Sequence, residues 1–403
     1  MPSRTIKTIL TLCFCIALKI QFQTSNLGAQ QLPLSETAKA SVLTCGPGND
    51  FYTTFGHSAL RICDTANGID WVYNYGTFDF DTPHFYWTFA RGRLNYCLSR
   101  EPYTHFEAVY DYEQRAVWEQ QLNLTQQEVN NLYVMLEWNY QPENRYYLYD
   151  FFRDNCATRV RDMVEAAPSH REVQTYWGRE NEYSYREMLH FCLRDTLEWW
   201  RLGIDIILGH RADHGCSTRE SMFLPEMMKV HYAGAKLVDR EHRQIEPLVG
   251  EPVQLLPDTR PPLHRSVRPE AVFGGLFLLV LLLTVCEKVF SLKSPIFSIL
   301  DRILFITAGI IGLFLLFMWF GTNHWCTKWN ISLLWASPLL LLIAIRLGRS
   351  PRWALWLQEA CFLAAAVLMF FDYSFAIELI ILTLALRVAC LIPRKQQRRQ
   401  RQH

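Results

Sequence analysis

Two short stretches carry residues able to do covalent chemistry. Gly56-His57-Ser58-Ala59-Leu60-Arg61 reads as the opening of a β-strand, and Asp154-Asn155-Cys156-Ala157-Thr158 as the opening of a helix. A histidine on a strand and a cysteine at a helix start are the two halves of a thiol–imidazole nucleophile. Unpaired N–H groups in a first helical turn put partial positive charge beside Cys156, which favours a thiolate and can also hold an oxyanion. The ordinary alternatives are a buried structural cysteine and a satisfied core histidine. The capping residue directly before Cys156 argues for the nucleophile. An imidazole base needs a third group to orient it. If the chain turns near Ala66, the residue facing His57 is 74 or 75, and Asn74 can accept from one ring nitrogen; Asp79 is the alternative.

The elements that must position these groups are legible in part. Ala40 to Thr44 suggests a strand. His57 to Cys63 and Trp71 to Gly76 read as a hairpin around Asp64-Thr65-Ala66-Asn67-Gly68. Thr125-Gln126-Gln127-Glu128 is a capping box for a helix to about Asn139, and Asp154 or Asn155 can cap a helix through Ala166. Further helices are expected at 185–202 and 222–237. This part of the chain, residues 30–256, is therefore α+β. It holds Cys45, Cys63, Cys97, Cys156, Cys192 and Cys216, an even number that permits disulfides in an oxidising compartment, with no readable pairing. No C-x-x-C occurs there, so no metal site is expected, and no cofactor. Aromatic residues are dense from Trp71 to Tyr96; most are expected in the core, some along an apolar channel or on a bilayer surface. Arg91 and Arg93 beside them are candidates for a lipid phosphate, and solvated surface arginines are the plainer alternative.

The remainder of the 403 residues is membrane-like. Residues 1–29 have the pattern of a signal peptide: Arg4 and Lys7, an apolar run from Ile9 to Leu18, and a cleavage site at Leu27-Gly28-Ala29. A linker, 257–270, contains Pro257, Pro261, Pro262 and Pro269. Five apolar stretches follow, at 271–290, 303–322, 329–345, 353–371 and 373–391, each near the ~20 residues a bilayer requires. Lys288, Lys293 and Arg302 fall in the first loop, Arg346, Arg349 and Arg352 in the third, and five Lys or Arg in the tail at 392–403. The positive-inside rule then puts residues 30–256 outside and the tail in the cytoplasm, with the protein in the inner membrane. Glu359 and Arg387 lie at similar depths below the outer hairpin tip and are expected to pair. His324, in the outer loop, is a candidate substrate contact at the membrane surface. The net charge of +1 offers nothing to a polyanion, so nucleic acid is not an expected partner.

The His-before-Cys order, a "His-x-Ala" strand and an "Asn-Cys" helix start resemble the permuted papain-like (NlpC/P60-related) enzymes. Longer segments are similar to the Bacteroidota family called the Lnb N-terminal periplasmic domain with its membrane region. These are Leu43-Thr44-Cys45-Gly46-Pro47-Gly48 leading to Phe55-Gly56-His57-Ser58-Ala59, Tyr73-Asn74-Tyr75-Gly76-Thr77-Phe78, the Cys156 segment, Leu202 to Gly209, Met222-Phe223-Leu224-Pro225 and Asn330 to Trp335. The resemblance implies a permuted papain-like domain followed by a bundle of five helices. It also implies lipoprotein N-acylation, in which an acyl chain moves from a phospholipid donor to the α-amine of a diacylated lipoprotein acceptor. The family's catalytic assignment transfers to His57 and Cys156 alone. A papain-like peptidase or amidase acting on cell-wall peptides would use the same pair but needs no five-span bundle. A non-catalytic membrane assembly protein would leave His57 and Cys156 well apart.

Overall fold

A computed structural model describes residues 34–392 apart from 176–181, 194–196, 240, 242–243 and 262–265. The expected signal peptide, residues 393–403 of the tail and four linker residues lie outside the described residues. The N-terminal part contains strands β1 (Lys39–Cys45), β2 (His57–Asp64), β3 (Ile69–Thr77), β4 (Asn95–Pro102), β5 (Val117–Gln121), β6 (Tyr146–Leu148), β7 (Arg171–Gln174), β8 (Lys236–Asp239), β9 (Gln244–Pro247) and β10 (Val253–Leu256). Seven of them form one antiparallel sheet in the order β10-β5-β1-β2-β3-β4-β6, and β7-β8-β9 form a small second one. Its helices are α1 (Phe85–Ala90), α2 (Tyr103–Tyr112), α3 (Gln126–Tyr140), α4 (Cys156–Ala166), α5 (Tyr185–Leu193), α6 (Glu198–Ile207), α7 (Thr218–Ser221) and α8 (Pro225–Gly234).

Period-two alternation divides the sheet's two faces. Val42, Leu60 and Tyr73 point to one side, under Leu132 and Leu136 of α3, Val160 and Val164 of α4 and Met228 of α8. Leu43, Ala59 and Val72 point to the other, under Phe106 and Tyr110 of α2. Tyr73 and Tyr75 then pin β3 to α3, their hydroxyls donating to Glu137 (2.5 Å) and Asn139 (2.6 Å). Two expected helices differ. The stretch 185–202 contains two, α5 and α6. The helix expected at 222–237 starts at Pro225, whose missing N–H costs nothing in a first turn, and ends at Gly234. Leu237 instead lies in β8, whose exposed–buried alternation is that of a strand.

The C-terminal region is helical: α9 (Pro269–Val289), α10 (Pro295–Phe320), α11 (Leu339–Ile345), α12 (Arg352–Met369) and α13 (Phe375–Leu391). Three of these, α9, α10 and α12, are long and apolar enough to cross a membrane, and a fourth crossing results if Trp325–Leu334 and Leu339–Ile345 count as one span bent by 41°. The stretch 329–345 is therefore not one continuous helix. Ser337 and Pro338 interrupt it, proline having no N–H to continue a helix. Helix α13 has 17 residues.

The expected Glu359–Arg387 pair does not form. Arg387 instead donates to Asp301 (2.6 and 3.1 Å), Glu287 (2.8 Å) and Thr284 (2.8 Å). Equal depth fixed the height of the two groups, but Arg387 lies on the face of α13 turned to α9 and α10. One carboxylate oxygen of Glu359 has no hydrogen-bond partner.

The two regions meet through specific contacts. Leu202 and Ile206 of α6 pack into the membrane helices' apolar cluster. Asn330 caps the end of α6, donating to the carbonyls of Ile206 and Ile207 (2.9 and 2.8 Å). The Gly209 and His210 N–H groups bond Cys326 and Trp329 carbonyls (2.8 and 3.0 Å). Fully buried Arg186 donates to Asp213 (2.6 Å), Asp205 (3.2 Å) and the Tyr373 hydroxyl (3.0 Å), and Asp205 accepts the Ser374 N–H (2.9 Å). These pairings join the Leu202–Gly209 and Asn330–Trp335 segments, which the sequence had only marked as resembling the same family.

Candidate active site

His57 is the first residue of β2, and Asn74 lies two residues along β3 from the position opposite it. Asn74 pairs with Ala59 in the ladder, so it reaches the imidazole diagonally on the same face. The His57 Nε2 to Asn74 Oδ1 distance is 3.1 Å. The buried Asn74 amide uses its nitrogen on the other side, donating to Glu101 Oε1 at 2.8 Å. The second oxygen of Glu101 contacts Nδ1 of His105. A carboxylate only accepts, so the amide nitrogen faces Glu101 and its oxygen faces His57. The ring therefore carries its proton on Nε2 and a lone pair on Nδ1. Asp79, the alternative third group, is exposed and accepts the Asp81 N–H (2.9 Å).

Cys156 is the first residue of α4. Asn155 caps the helix in a capping box: its side chain accepts from Thr158 N–H (2.9 Å), and Thr158 Oγ1 accepts from Asn155 N–H (2.7 Å). Asp154 is occupied elsewhere, paired with Arg159. The cap engages the Thr158 N–H and leaves those of Cys156 and Ala157, which together with the Ser58 N–H favour the thiolate form of Cys156. Ser58 is the chain neighbour of His57, so the thiol lies near the start of β2. These converging donors make the cradle an oxyanion would need. A bulge at Gly76, with φ +91, lets β3 pass beside the cysteine: a Cβ there would lie 3.7 Å from Cys156 Cβ.

Burial governs the protonation of the pair. It holds the His57 imidazole down at about 4, with the Arg115 cation adding to the effect and the Asn74 bond opposing it. It also raises the Cys156 thiol above its ordinary value, against the three N–H donors that favour thiolate. The helix start thus acts in the expected direction, but desolvation outweighs it. At neutral pH the thiol and the imidazole are therefore both uncharged. Cys45, opposite His57 on β1, is pushed up to about 12 by burial and remains a thiol. All ten cysteines among the described residues are free.

His57, Asn74 and Cys156 line one cavity of about 580 Å³. Much of its wall is aromatic, including Phe55, Phe78, Phe89, Phe106, Tyr96 and Phe223, and His324 of the membrane region is also part of the lining. The proposed substrate-contact residues divide. His324 lines the cavity but also packs on Gly92, with its Nε2 3.2 Å from the Ala90 carbonyl. Arg91 donates to the Gly321 carbonyl (3.3 Å), and its own carbonyl accepts from Asn323 N–H (2.9 Å), so it fastens α1 to the outer loop. Arg93 is exposed, and neither arginine lines the cavity. Trp87 of α1 stacks on Phe317 of α10 (5.5 Å). Sequence reasoning missed Glu101, Arg115 and the Ser58 N–H. The available signal for Glu101 was the alternation Tyr96-Cys97-Leu98-Ser99, which marks β4 and puts Ser99 and Glu101 on the His57 face.

Two family models match the chain: the Lnb N-terminal periplasmic domain over residues 26–189 and the Lnb transmembrane domain over residues 263–399. The chain belongs to the Lnb family. It is accordingly a membrane protein with a periplasmic N-terminal domain and a C-terminal membrane-spanning region, and membership is consistent with an enzyme. No curated protein and no solved structure matches it.

Proposed function

We propose that this Lnb-family protein is a cysteine-dependent lipoprotein N-acyltransferase with a permuted papain-like catalytic domain. The observation that carries the reading is the setting of the thiol and the imidazole: one mainly apolar, aromatic-rich cavity that His324, from a loop of the membrane region, also lines. Such a cavity suits an acyl chain delivered from a bilayer; a stem peptide calls for a polar, solvent-facing groove. Outside the inner membrane neither ATP nor acyl-CoA is expected, and phospholipid esters are the abundant donor.

The chemistry proceeds in two half-reactions. His57 Nδ1 takes the Cys156 proton as sulfur attacks the ester carbonyl carbon, and the N–H groups of Ser58, Cys156 and Ala157 hold the developing oxyanion. The bond between the acyl carbon and the glyceryl oxygen then breaks, the imidazolium protonates that leaving oxygen, and lysophospholipid departs from the thioester. In the second half, the α-amine of the lipidated cysteine attacks the thioester. The amine proton passes through His57 to the departing Cys156 sulfur, leaving an amide and the free thiol. Thioester to amide is downhill, which drives the sequence. Asn74 keeps the imidazole in the tautomer both steps use.

The same reading takes the membrane region as five spans, with α13 and the bent pair each crossing, in the inner membrane with the tail in the cytoplasm. In support, the loops that touch the periplasmic domain, 321–328 and 370–374, contain one Lys or Arg between them, Lys328. The test is a reconstituted reaction. Purified full-length protein with phospholipid and a diacylated lipopeptide should yield triacylated peptide plus lysophospholipid, with no nucleotide added. Cleavage of peptidoglycan stem peptides with the lipopeptide untouched would favour the amidase instead.

A further inference from the structure

We infer that Glu101 is a positioning residue of the thiol–imidazole centre: it locks the Asn74 amide in the orientation that leaves His57 Nδ1 free to act as the base. This rests on the reading of His57 as the base for Cys156. The sheet register sets the three side chains in an oblique row. Asn74 pairs with Ala59 and with Ser99, and Val72 pairs with Glu101, so His57, Asn74 and Glu101 step diagonally across β2, β3 and β4 on one face.

The two ends of a carboxamide have the same shape, so packing alone does not choose between them. His57 does not choose either, since an imidazole matches an amide oxygen in one tautomer and an amide nitrogen in the other. A flipped Asn74 would present its nitrogen to His57 Nε2. That arrangement selects the tautomer with the proton on Nδ1, and the base is lost. Glu101 breaks this symmetry. With the amide oriented as found, its Oε1 accepts from Asn74 Nδ2 at 2.8 Å; flipped, two acceptor oxygens would face each other across the same gap. The charge-assisted bond is thereby spent on orientation. Glu101 is itself held at both ends of its carboxylate, by Asn74 and by His105 one turn further along the chain.

The experiment measures the alkylation rate of Cys156 by iodoacetamide in the full-length protein, read on the Cys156 peptide by mass spectrometry. The variants are Glu101→Gln, Asn74→Ala, the double variant and His57→Ala, with kcat and KM for acyl transfer measured alongside. Glu101→Gln should slow alkylation and lower kcat about tenfold, the worth of one charge-assisted hydrogen bond, with KM within about twofold. Asn74→Ala should lose at least as much, and adding Glu101→Gln to it should cost nothing more, because Glu101 acts only through Asn74. Wild-type alkylation in Glu101→Gln, or losses that multiply in the double variant, would overturn the inference. Should Glu101→Gln not accumulate as folded protein, Glu101→Asp gives the same comparison with a smaller loss. His57→Ala separates the two levels of the argument: if it alkylates like wild type, the base assignment fails. If His57→Ala is slow while Glu101→Gln is normal, only the role of Glu101 fails. Because the readout is the thiol, it does not depend on which substrate is acylated.

Discussion

Gly209→Ala tests whether the catalytic domain must be fixed to the membrane region. A Cβ at Gly209 would lie 1.9 Å from the Lys328 carbonyl oxygen and 2.6 Å from its carbon, both rigid backbone. The neighbouring strands of chain cannot separate without loosening the Gly209–Cys326 and His210–Trp329 hydrogen bonds. Those two bonds are worth about 1 kcal/mol each, and overpacking adds about 1–3 kcal/mol. The expected cost is therefore roughly 3–5 kcal/mol, a fall in midpoint temperature of order 10 °C for a unit of this size. The loss should fall on the junction and leave the cradle intact, because Cys156, Ser58 and Asn74 contact other elements. Thermal unfolding in detergent should show the lower midpoint, and turnover of bilayer-held phospholipid should drop severalfold or more. Alkylation of Cys156 by soluble iodoacetamide should stay near the wild-type rate. Wild-type melting together with wild-type turnover would refute the claim that this backbone contact sets the position of the active site over the membrane.

Cys156→Ala and Cys156→Ser should each lose several orders of magnitude in acyl transfer while remaining folded and membrane-bound; near-normal turnover in either removes Cys156 from the mechanism. Because burial holds His57 down at about 4, the imidazole stays a neutral base until the pH falls to about that value, and only below it does protonation remove it. The acid limb of kcat/KM should accordingly be centred near 4, and a limb near the ordinary 6.5 would show that the site is open to water. The raised Cys156 thiol makes a matching statement: its alkylation in a His57→Ala background should keep rising through pH 9, and a plateau from neutral pH would signal a preformed thiolate. In the membrane, Arg387→Met strands the carboxylates of Asp301 and Glu287, so unfolding should be easier by about 3–5 kcal/mol; an unchanged denaturation midpoint would mean that water reaches them.

What the sequence revealed depended on how local the signal was. The α4 start was legible because Asn155 and Thr158 satisfy each other within one turn, and the β2–β3 hairpin because its turn residues lie between two alternating runs. Asn74 was found for a reason that needed adjusting. The ladder puts Ala59 opposite it, and the imidazole reaches it along the diagonal. Glu101 escaped notice because β4 is recognised by pairing with β3, a long-range fact. The protonation of Cys156 could not be read from its helix position alone, since the local N–H donors were visible and the burial opposing them was not. Arg91 looked like a phosphate ligand in sequence, but the outer loop that uses it lies 230 residues away. The Arg387 network was missed because loop counting gives depth without helix phase.

The proposed reaction requires an acyl-enzyme on Cys156. Purified protein incubated with phospholipid and no acceptor should gain one acyl chain, seen as a mass shift on the Cys156 peptide, with an equal amount of lysophospholipid released. Hydroxylamine should remove the adduct, adding a diacylated lipopeptide should discharge it as triacylated product, and Cys156→Ala should never acquire it. Lysophospholipid release or lipopeptide acylation proceeding in Cys156→Ala, or an acyl chain found on any other residue, would contradict the central claim.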